Sequence, residues 1–243
     1  RLARPAALID INHIPGLSGI ARHDGEIRLG ALARHADIEA SSVAAAIPIV
    51  HDCAAGIADI QVRNMGTIGG SLAHADPAAD YPAAIIALGA EMVAEGPKGK
   101  RTIKADDFFK GLLTTALGAD EILTEVRVPV AAGKTGASYM KFPHPASRFA
   151  VVGVAAVLSV DGGKIGKASV GVTGAGTKAV RAKGVEAAIT GKNADAASIQ
   201  AAAEKAADGV DVQADLQGSV EYKSHLLRVF AKRAMEAAVA AVR

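Results

Sequence analysis

The stretch "NMGTIGGSLAHADPAAD", residues 64–80, brings three glycines, two hydroxyl residues and two aspartates together in an alanine-rich chain. Adjacent glycines permit positive φ angles and leave consecutive backbone N–H groups unshielded by a Cβ, so this stretch can close on an anion such as a pyrophosphate. Thr67 and Ser71 add hydroxyl donors, and a downstream aspartate suits a ribose or ribityl hydroxyl. The same residues also fit a simpler structure, a glycine turn before a helix with Asp76 and Asp80 as caps.

Composition narrows the classes of protein. The 243 residues suffice for one large domain or two modest ones, and 27 basic and 25 acidic residues leave a net charge of +2. Without a basic run, and with only 3% aromatic residues, the chain is not expected to bind nucleic acid. The sequence shows no run of about 20 apolar residues and no signal peptide, which predicts a cytoplasmic protein without a membrane span. Cys53 is the single cysteine, so any iron–sulfur cluster must lie on another chain.

Local patterns predict the elements of the first half. The dipeptide Asp24-Gly25 supplies the positive φ angles of a tight hairpin. Pro48 stands at a natural helix start, followed by apolar residues at helical spacing. A short helix follows the glycine-rich stretch of residues 64–80, with Asp80 as its predicted cap and Gly89 just past its end.

A second hairpin with a Gly-Pro turn and a strand ended by Pro129 complete a first predicted domain, residues 1–130. The hydrophilic stretch "AAGKTGA", residues 131–137, is the predicted boundary before a second domain, residues 134–243. This domain begins with three strand-like runs, "ASYMKF", "FAVVGVAAVLSV" and "KASVGVTG". Strands followed by helices, rather than strict alternation, indicate an α+β fold.

The second domain ends in a long predicted helix that starts at Ser219. Tyr222, Leu226 and Phe230 form an apolar stripe along it. The glycine-rich "GVTGAGTK", residues 171–178, lacks the Gly-Lys-Ser/Thr ending of a phosphate-binding P-loop and is interpreted as a turn after a strand.

Four ordered segments resemble one family. They are "QVRNMGTIGGSLAHADPAADYPAAIIALGA", "DEILTEVRVP", "SYMKFPHPASRFAVVGVAA" and "DLQGSVEYKSHLLRVFAKRA", and the resemblance they carry is interpreted as covering essentially the whole chain. Each is similar to the FAD-binding medium subunit of molybdenum hydroxylases, the carbon monoxide dehydrogenase and xanthine dehydrogenase family. The resemblance implies an FAD-binding domain of the vanillyl-alcohol-oxidase (PCMH) type, followed by a small domain of three antiparallel strands plus helices.

The resemblance also implies a set of FAD-binding positions. The pyrophosphate and ribityl contacts of the family fall on Thr67, Ile68, Gly69, Gly70 and Ser71, and Asp80 falls where the family contacts the sugar or ribityl hydroxyls. Ile57 and Leu123 fall at apolar contact positions. Tyr139 and Lys141 match residues that the family places beside the isoalloxazine ring. Ser71 departs from the Asn or Asp common in the family. The family's first glycine-rich loop would lie upstream of "RLARPAALIDIN", so the FAD-binding domain is interpreted as N-terminally truncated. No catalytic residue and no metal site is expected on this chain.

The function implied is electron transfer through bound FAD. In the family, a molybdopterin-binding large subunit oxidises the substrate, a small subunit passes electrons through [2Fe–2S] clusters, and the flavin subunit delivers them to an external acceptor, within a dimer of heterotrimers. Two alternatives stay open: a non-redox nucleotide-binding module that regulates or scaffolds a partner, and a self-contained flavin oxidoreductase of the same fold.

Overall fold

The computed structural model describes residues 5–131 and 133–242. Residues 1–4 at the predicted truncated start, Ala132 in the predicted boundary stretch and Arg243 lie outside the described residues.

Strands and helices alternate irregularly along the chain. The strands are β1 (Ile20–His23), β2 (Glu26–Gly30), β3 (Glu91–Gly96), β4 (Gly99–Lys104), β5 (Phe109–Gly111), β6 (Thr114–Thr115), β7 (Ile122–Pro129), β8 (Thr135–Pro143), β9 (Ala150–Asp161), β10 (Lys164–Thr173) and β11 (Val180–Arg181). The helices are α1 (His35–Ala40), α2 (Pro48–Gly56), α3 (Ile60–Met65), α4 (Ile68–His74), α5 (Asp80–Leu88), α6 (Ala105–Phe108), α7 (Lys183–Ile189), α8 (Ala196–Ala203) and α9 (Val220–Ala240).

Within residues 5–131, five strands form one antiparallel sheet in the order β1-β2-β7-β3-β4, and β5 pairs with β6. Both predicted hairpins are present. Asp24 and Gly25 take φ angles of 31° and 84° in the first, which confirms the turn. The predicted helix start at Pro48 and the helix end at Gly89, with φ at 65°, are also confirmed.

The second sheet has the order β11-β10-β9-β8 among the described residues, so the two-residue strand β11 joins the three predicted strands. The long helix α9 lies across β8 and β9. Gly136 permits this close packing, because a Cβ there would overlap the carbonyl oxygen of Ala238. The stretch after β10 is a turn, as predicted, with Gly174 at a φ of 80°.

The long helix starts as predicted, since the Ser219 hydroxyl accepts a 3.2 Å hydrogen bond from the Tyr222 N–H. The predicted stripe is right for Leu226 and Phe230 and wrong for Tyr222, which is 43% exposed. The buried face instead continues to Lys223, whose ammonium bonds Asp215.

Helix α5 lies between the two halves of the chain, with every residue from Asp80 to Ala87 buried. It packs on β10, where a Cβ on Gly171 would overlap the carbonyl oxygen of Ala83. The predicted capping role of Asp80 is wrong: the N-cap is Ala79, and the Asp80 side chain turns towards β8 instead. Asp76 caps no helix either, because its carboxylate accepts a 2.8 Å bond from Ala78 N–H in the preceding turn. No helix in the described ranges is long and apolar enough to cross a membrane.

Candidate functional site

A cleft of about 430 Å³ opens where α3, the start of α4, the start of α5 and the turn of residues 144–149 meet. Its volume is in the range of small-molecule sites. The lining residues are His35, Ile57, Ala58, Val62, Met65, Gly66, Thr67, Gly70, Ser71, His74, Asp76, Ala79, Asp80, Ser147, Arg148 and Phe149.

The glycine-rich stretch forms the start of a helix rather than an open loop. Thr67 is the N-cap of α4, and its hydroxyl accepts a 3.1 Å bond from Gly70 N–H. The N–H groups of Ile68 and Gly69 donate to the carbonyl oxygens of Ala33 and Ala31 at 3.0 and 2.8 Å. The expectation of positive φ angles and free consecutive donors is therefore wrong, because the loop after β2 and the Thr67 cap already satisfy these groups.

The two adjacent glycines, Gly69 and Gly70, have different structural roles. Gly69 is buried, and a Cβ there would overlap the Cβ of Ala31 and come within 2.6 Å of its carbonyl oxygen. Gly70 is exposed to the cleft, and its Cβ would come within 2.9 Å of the Thr67 hydroxyl alone. Gly69 thus lets α4 pack against the loop that follows β2, whereas Gly70 leaves space at the cleft.

Asp80 forms the polar end of the cleft. Its Oδ1 accepts a 2.5 Å bond from the Tyr139 hydroxyl, and its Oδ2 lies 2.8 Å from the Lys141 ammonium. Burial raises the pKa of Asp80, and Lys141, Tyr139 and Arg148 oppose that rise. Since a carboxylate offers about four lone-pair sites, each oxygen retains a position that can accept from a ligand hydroxyl.

Lys141 ties three segments to this point. Besides Asp80, its ammonium donates to the carbonyl oxygens of Gly56, the last residue of α2, and of Arg148, at 2.9 and 2.8 Å. All three of its protons are used, and only 9% of the side chain is exposed. Lys141 therefore holds α2, α5 and the turn at Arg148 together, and its charge is compensated by Asp80.

The structure brings half of the predicted FAD-binding positions to the cleft. Ile57, Thr67, Gly70, Ser71 and Asp80 line it. Tyr139 and Lys141 reach it through Asp80, while Ile68 and Gly69 lie buried behind its wall. Leu123 is buried in β7, paired with Ala94, and lies outside the cleft lining.

The residues of the wall that sequence reasoning missed include His35, Arg148 and Phe149. The His35 Nδ1 lies 3.3 Å from the Tyr81 hydroxyl, and burial together with the Arg63 charge lowers its pKa to about 4. The imidazole is therefore neutral at physiological pH. Gly66 makes room for it, since a Cβ at that position would come within 2.6 Å of the His35 Nε2. No local sequence signal marks these contacts.

Two family models match the chain. The one described as "FAD binding domain in molybdopterin dehydrogenase" matches residues 1–131, and the one described as "CO dehydrogenase flavoprotein C-terminal domain" matches residues 137–238. The chain belongs to the FAD-binding medium-subunit family of the molybdenum hydroxylases. The resemblance, the fold it implied and FAD as cofactor are thereby confirmed.

Relatives at the sequence level are medium chains or complex subunits. The chain is similar to the carbon monoxide dehydrogenase medium chain of Hydrogenophaga pseudoflava, at 38% identity over 98% of this chain and 83% of that protein. It is similar to the 6-hydroxypseudooxynicotine dehydrogenase complex subunit alpha of Paenarthrobacter nicotinovorans, at 35% identity over 98% of this chain and 81% of that protein. The medium subunit is therefore a component of an oxidoreductase complex. This favours the hypothesis of an FAD-binding subunit of a molybdenum hydroxylase over the two alternatives.

Solved structures agree. Carbon monoxide dehydrogenase from H. pseudoflava, in a form that lacks the Mo-pyranopterin moiety of its cofactor, superposes with a TM-score of 0.96 at 40% identity, over 100% of this chain and 85% of that chain. Quinoline 2-oxidoreductase from Pseudomonas putida 86 superposes with a TM-score of 0.92 at 32% identity, over 99% of this chain and 84% of that chain.

The cleft of the medium subunit has the chemistry that FAD requires. Ile57, Val62, Met65 and Phe149 supply apolar surface for a planar ring. The Thr67 and Ser71 hydroxyls and the Asp80 carboxylate can bond hydroxyl and phosphate groups. A side chain at Gly70 would project towards this space, which is why a glycine suits the position.

Proposed function

We propose that this medium subunit holds FAD in the cleft and carries electrons from [2Fe–2S] clusters of a small subunit to an external acceptor. The observation that carries the proposal is the cleft itself, where an apolar wall faces the buried Asp80 carboxylate. Bound FAD supplies redox chemistry that no side chain provides, because it exchanges both single electrons and electron pairs.

The residues of this chain bind and orient the cofactor. Asp80, held by Tyr139 and Lys141, accepts from the ribityl or ribose hydroxyls, and Thr67, Gly70 and Ser71 border the phosphates. Ile57 contacts the cofactor from the α2–α3 connection and excludes water. Ile68 and Gly69, buried in α4, support the wall from behind, and Leu123 remains a predicted apolar contact of the cofactor. This assignment is supported by the contacts of Asp80 and by the exposure of Gly70 to the cleft.

The assembly is proposed as a dimer of heterotrimers with a molybdopterin-binding large subunit and a [2Fe–2S] small subunit, in the cytoplasm. Support comes from relatives that are medium chains or complex subunits, and from the single cysteine, which cannot hold a cluster alone. The substrate of the complex is recognised on the large subunit. The domain limits of residues 1–130 and 134–243 are proposed with it.

The test uses the complete subunit expressed with its partners. We expect the purified complex to show the visible flavin bands, to release stoichiometric FAD on denaturation, and to lose the flavin band anaerobically when the iron–sulfur subunit is reduced. Addition of an electron acceptor should restore the band. A complex that lacks flavin, or whose flavin stays oxidised while the clusters are reduced, would refute the proposed function.

A further inference from the structure

Arg148 is the one lysine or arginine among the described residues that line the cleft. Its neighbours in the wall include Ser147 and Phe149, and the acidic lining residues are Asp76 and Asp80. The charge of Asp80 is matched by Lys141 at 2.8 Å, so that pair presents little net charge to a ligand. Arg148 is therefore the cation of the cleft that has no direct ion-pair partner in the described part of the chain, although its charge acts through space on Asp80 and Asp76 adds a negative charge to the lining.

The Arg148 guanidinium makes no salt bridge or hydrogen bond with any residue in 5–131 or 133–242. Other arginines in the described part of the chain form ion pairs with acidic side chains, as in Arg28–Glu26, Arg63–Glu39, Arg101–Glu121, Arg127–Glu125 and Arg181–Glu186. An arginine remains protonated at all physiological pH values. Arg148 is exposed, so its guanidinium, which no acidic side chain of the described residues holds, can turn towards a ligand in the cleft.

The backbone fixes Arg148 at this place. Its φ is 60°, a left-handed conformation that residues with a long side chain rarely adopt. Its N–H donates to the His144 carbonyl oxygen at 2.8 Å, and its own carbonyl oxygen accepts from the Lys141 ammonium at 2.8 Å. The His144 Nδ1 accepts from Ser147 N–H at 3.2 Å and completes the turn. These bonds hold the strained residue against the cleft.

We propose that Arg148 supplies the positive charge that favours the reduced form of the bound flavin. The inference rests on the proposed function, in which FAD occupies the cleft. Taking up two electrons and one proton turns the neutral flavin ring into an anion, so a nearby cation without a direct ion-pair partner stabilises the reduced state more than the oxidised one. The electrons come from the iron–sulfur subunit in the complex and from a chemical reductant in a titration.

The test is a redox titration of the flavin in the assembled complex. Arg148→Asn removes the charge and tolerates the left-handed backbone, and Arg148→Gln removes the charge while keeping more of the length. Both should weaken binding of reduced relative to oxidised FAD about tenfold, which lowers the two-electron midpoint potential by about 30 mV. Arg148→Lys should restore most of the potential. Arg22→Gln, at an exposed position of β1, removes the same charge elsewhere and should leave the potential unchanged.

The outcomes separate the two claims. Normal FAD content with an unchanged or higher potential in both uncharged variants overturns the inference and leaves the proposed function standing. An equal drop in Arg22→Gln also overturns it, because the effect then follows net charge and not position. Absence of FAD from the wild-type complex refutes the proposed function itself.

Discussion

The ammonium of Lys141 on β8 lies 2.8 Å from the Oδ2 of Asp80 on α5, with only 9% and 5% of the two side chains exposed. The pair joins residues 61 positions apart in the sequence. Since Lys141 also holds the end of α2 and the turn at Arg148, this ion pair fixes the polar end of the cleft.

Lys141→Met should destabilise the subunit strongly, because it leaves the Asp80 carboxylate buried without its counter-charge. Breaking a buried ion pair at one partner costs about 3–5 kcal/mol. Urea unfolding of the FAD-free subunit measures the loss without a contribution from ligand binding. The double variant Asp80→Asn/Lys141→Met should recover part of it. Strictly additive losses in this cycle would show that the two groups do not interact.

Gly69→Ala and Gly70→Val should separate stability from binding. Gly69→Ala forces a methyl group against Ala31 and should cost about 1–3 kcal/mol of unfolding free energy. Gly70→Val meets only the Thr67 hydroxyl but fills space at the cleft, so it should weaken FAD binding while changing stability less. Equilibrium FAD titration and urea unfolding of both variants test the pair. Full FAD affinity in Gly70→Val would remove this residue from the site.

His35 should make the subunit sensitive to acid. Its pKa is lowered from 6.5 to about 4 in the folded chain, so the unfolded chain binds a proton that the folded chain excludes between these values. The contribution of neutral His35 to the free energy of unfolding is fully present above pH 6.5 and is lost as the pH falls through about 4. With solvent screening at the cleft, the loss is on the order of 2 kcal/mol.

His35→Gln should flatten this pH dependence, as measured by urea unfolding at about pH 7.5 and about pH 4.5. His23→Gln, at an exposed position of β1, is the control and should behave as the wild type. If the wild type and His35→Gln lose stability equally on acidification, the acid sensitivity comes from other groups.

Gly171→Ala should act on the cleft from a distance. A Cβ there overlaps the Ala83 carbonyl oxygen and pushes α5, which carries Asp80, away from β10. We expect a loss of about 1–3 kcal/mol in stability and a weaker affinity for FAD. Gly166→Ala lies on the same strand with open space around its Cβ, and it should change neither quantity. Equal effects of both substitutions would point to strand propensity rather than packing.

Local chemistry was sufficient to predict many element ends. The turn at Asp24-Gly25, the helix start at Pro48, the helix end at Gly89 and the cap at Ser219 all depend on the backbone preferences of one or two residues. These preferences act within a few bonds, so the sequence carries them directly.

The site depended on contacts that no local pattern contains. Asp80 had the sequence features of a helix cap, but Tyr139 and Lys141, 59 and 61 residues further along, bind its carboxylate. The N–H groups of Ile68 and Gly69 seemed available for an anion until the carbonyl oxygens of Ala33 and Ala31 were found to accept from them.

The sequence by itself determined the α+β elements, the family and the segment that borders the cleft, because backbone preferences and ordered motifs are properties of neighbouring residues. Only the tertiary structure decided which polar groups are paired and which remain free. A hydrogen-bonding group or charge is satisfied by whatever lies within about 3 Å in space, whatever its distance along the chain. For that reason the compensation of Lys141 and the unpaired guanidinium of Arg148 emerged only from the folded chain.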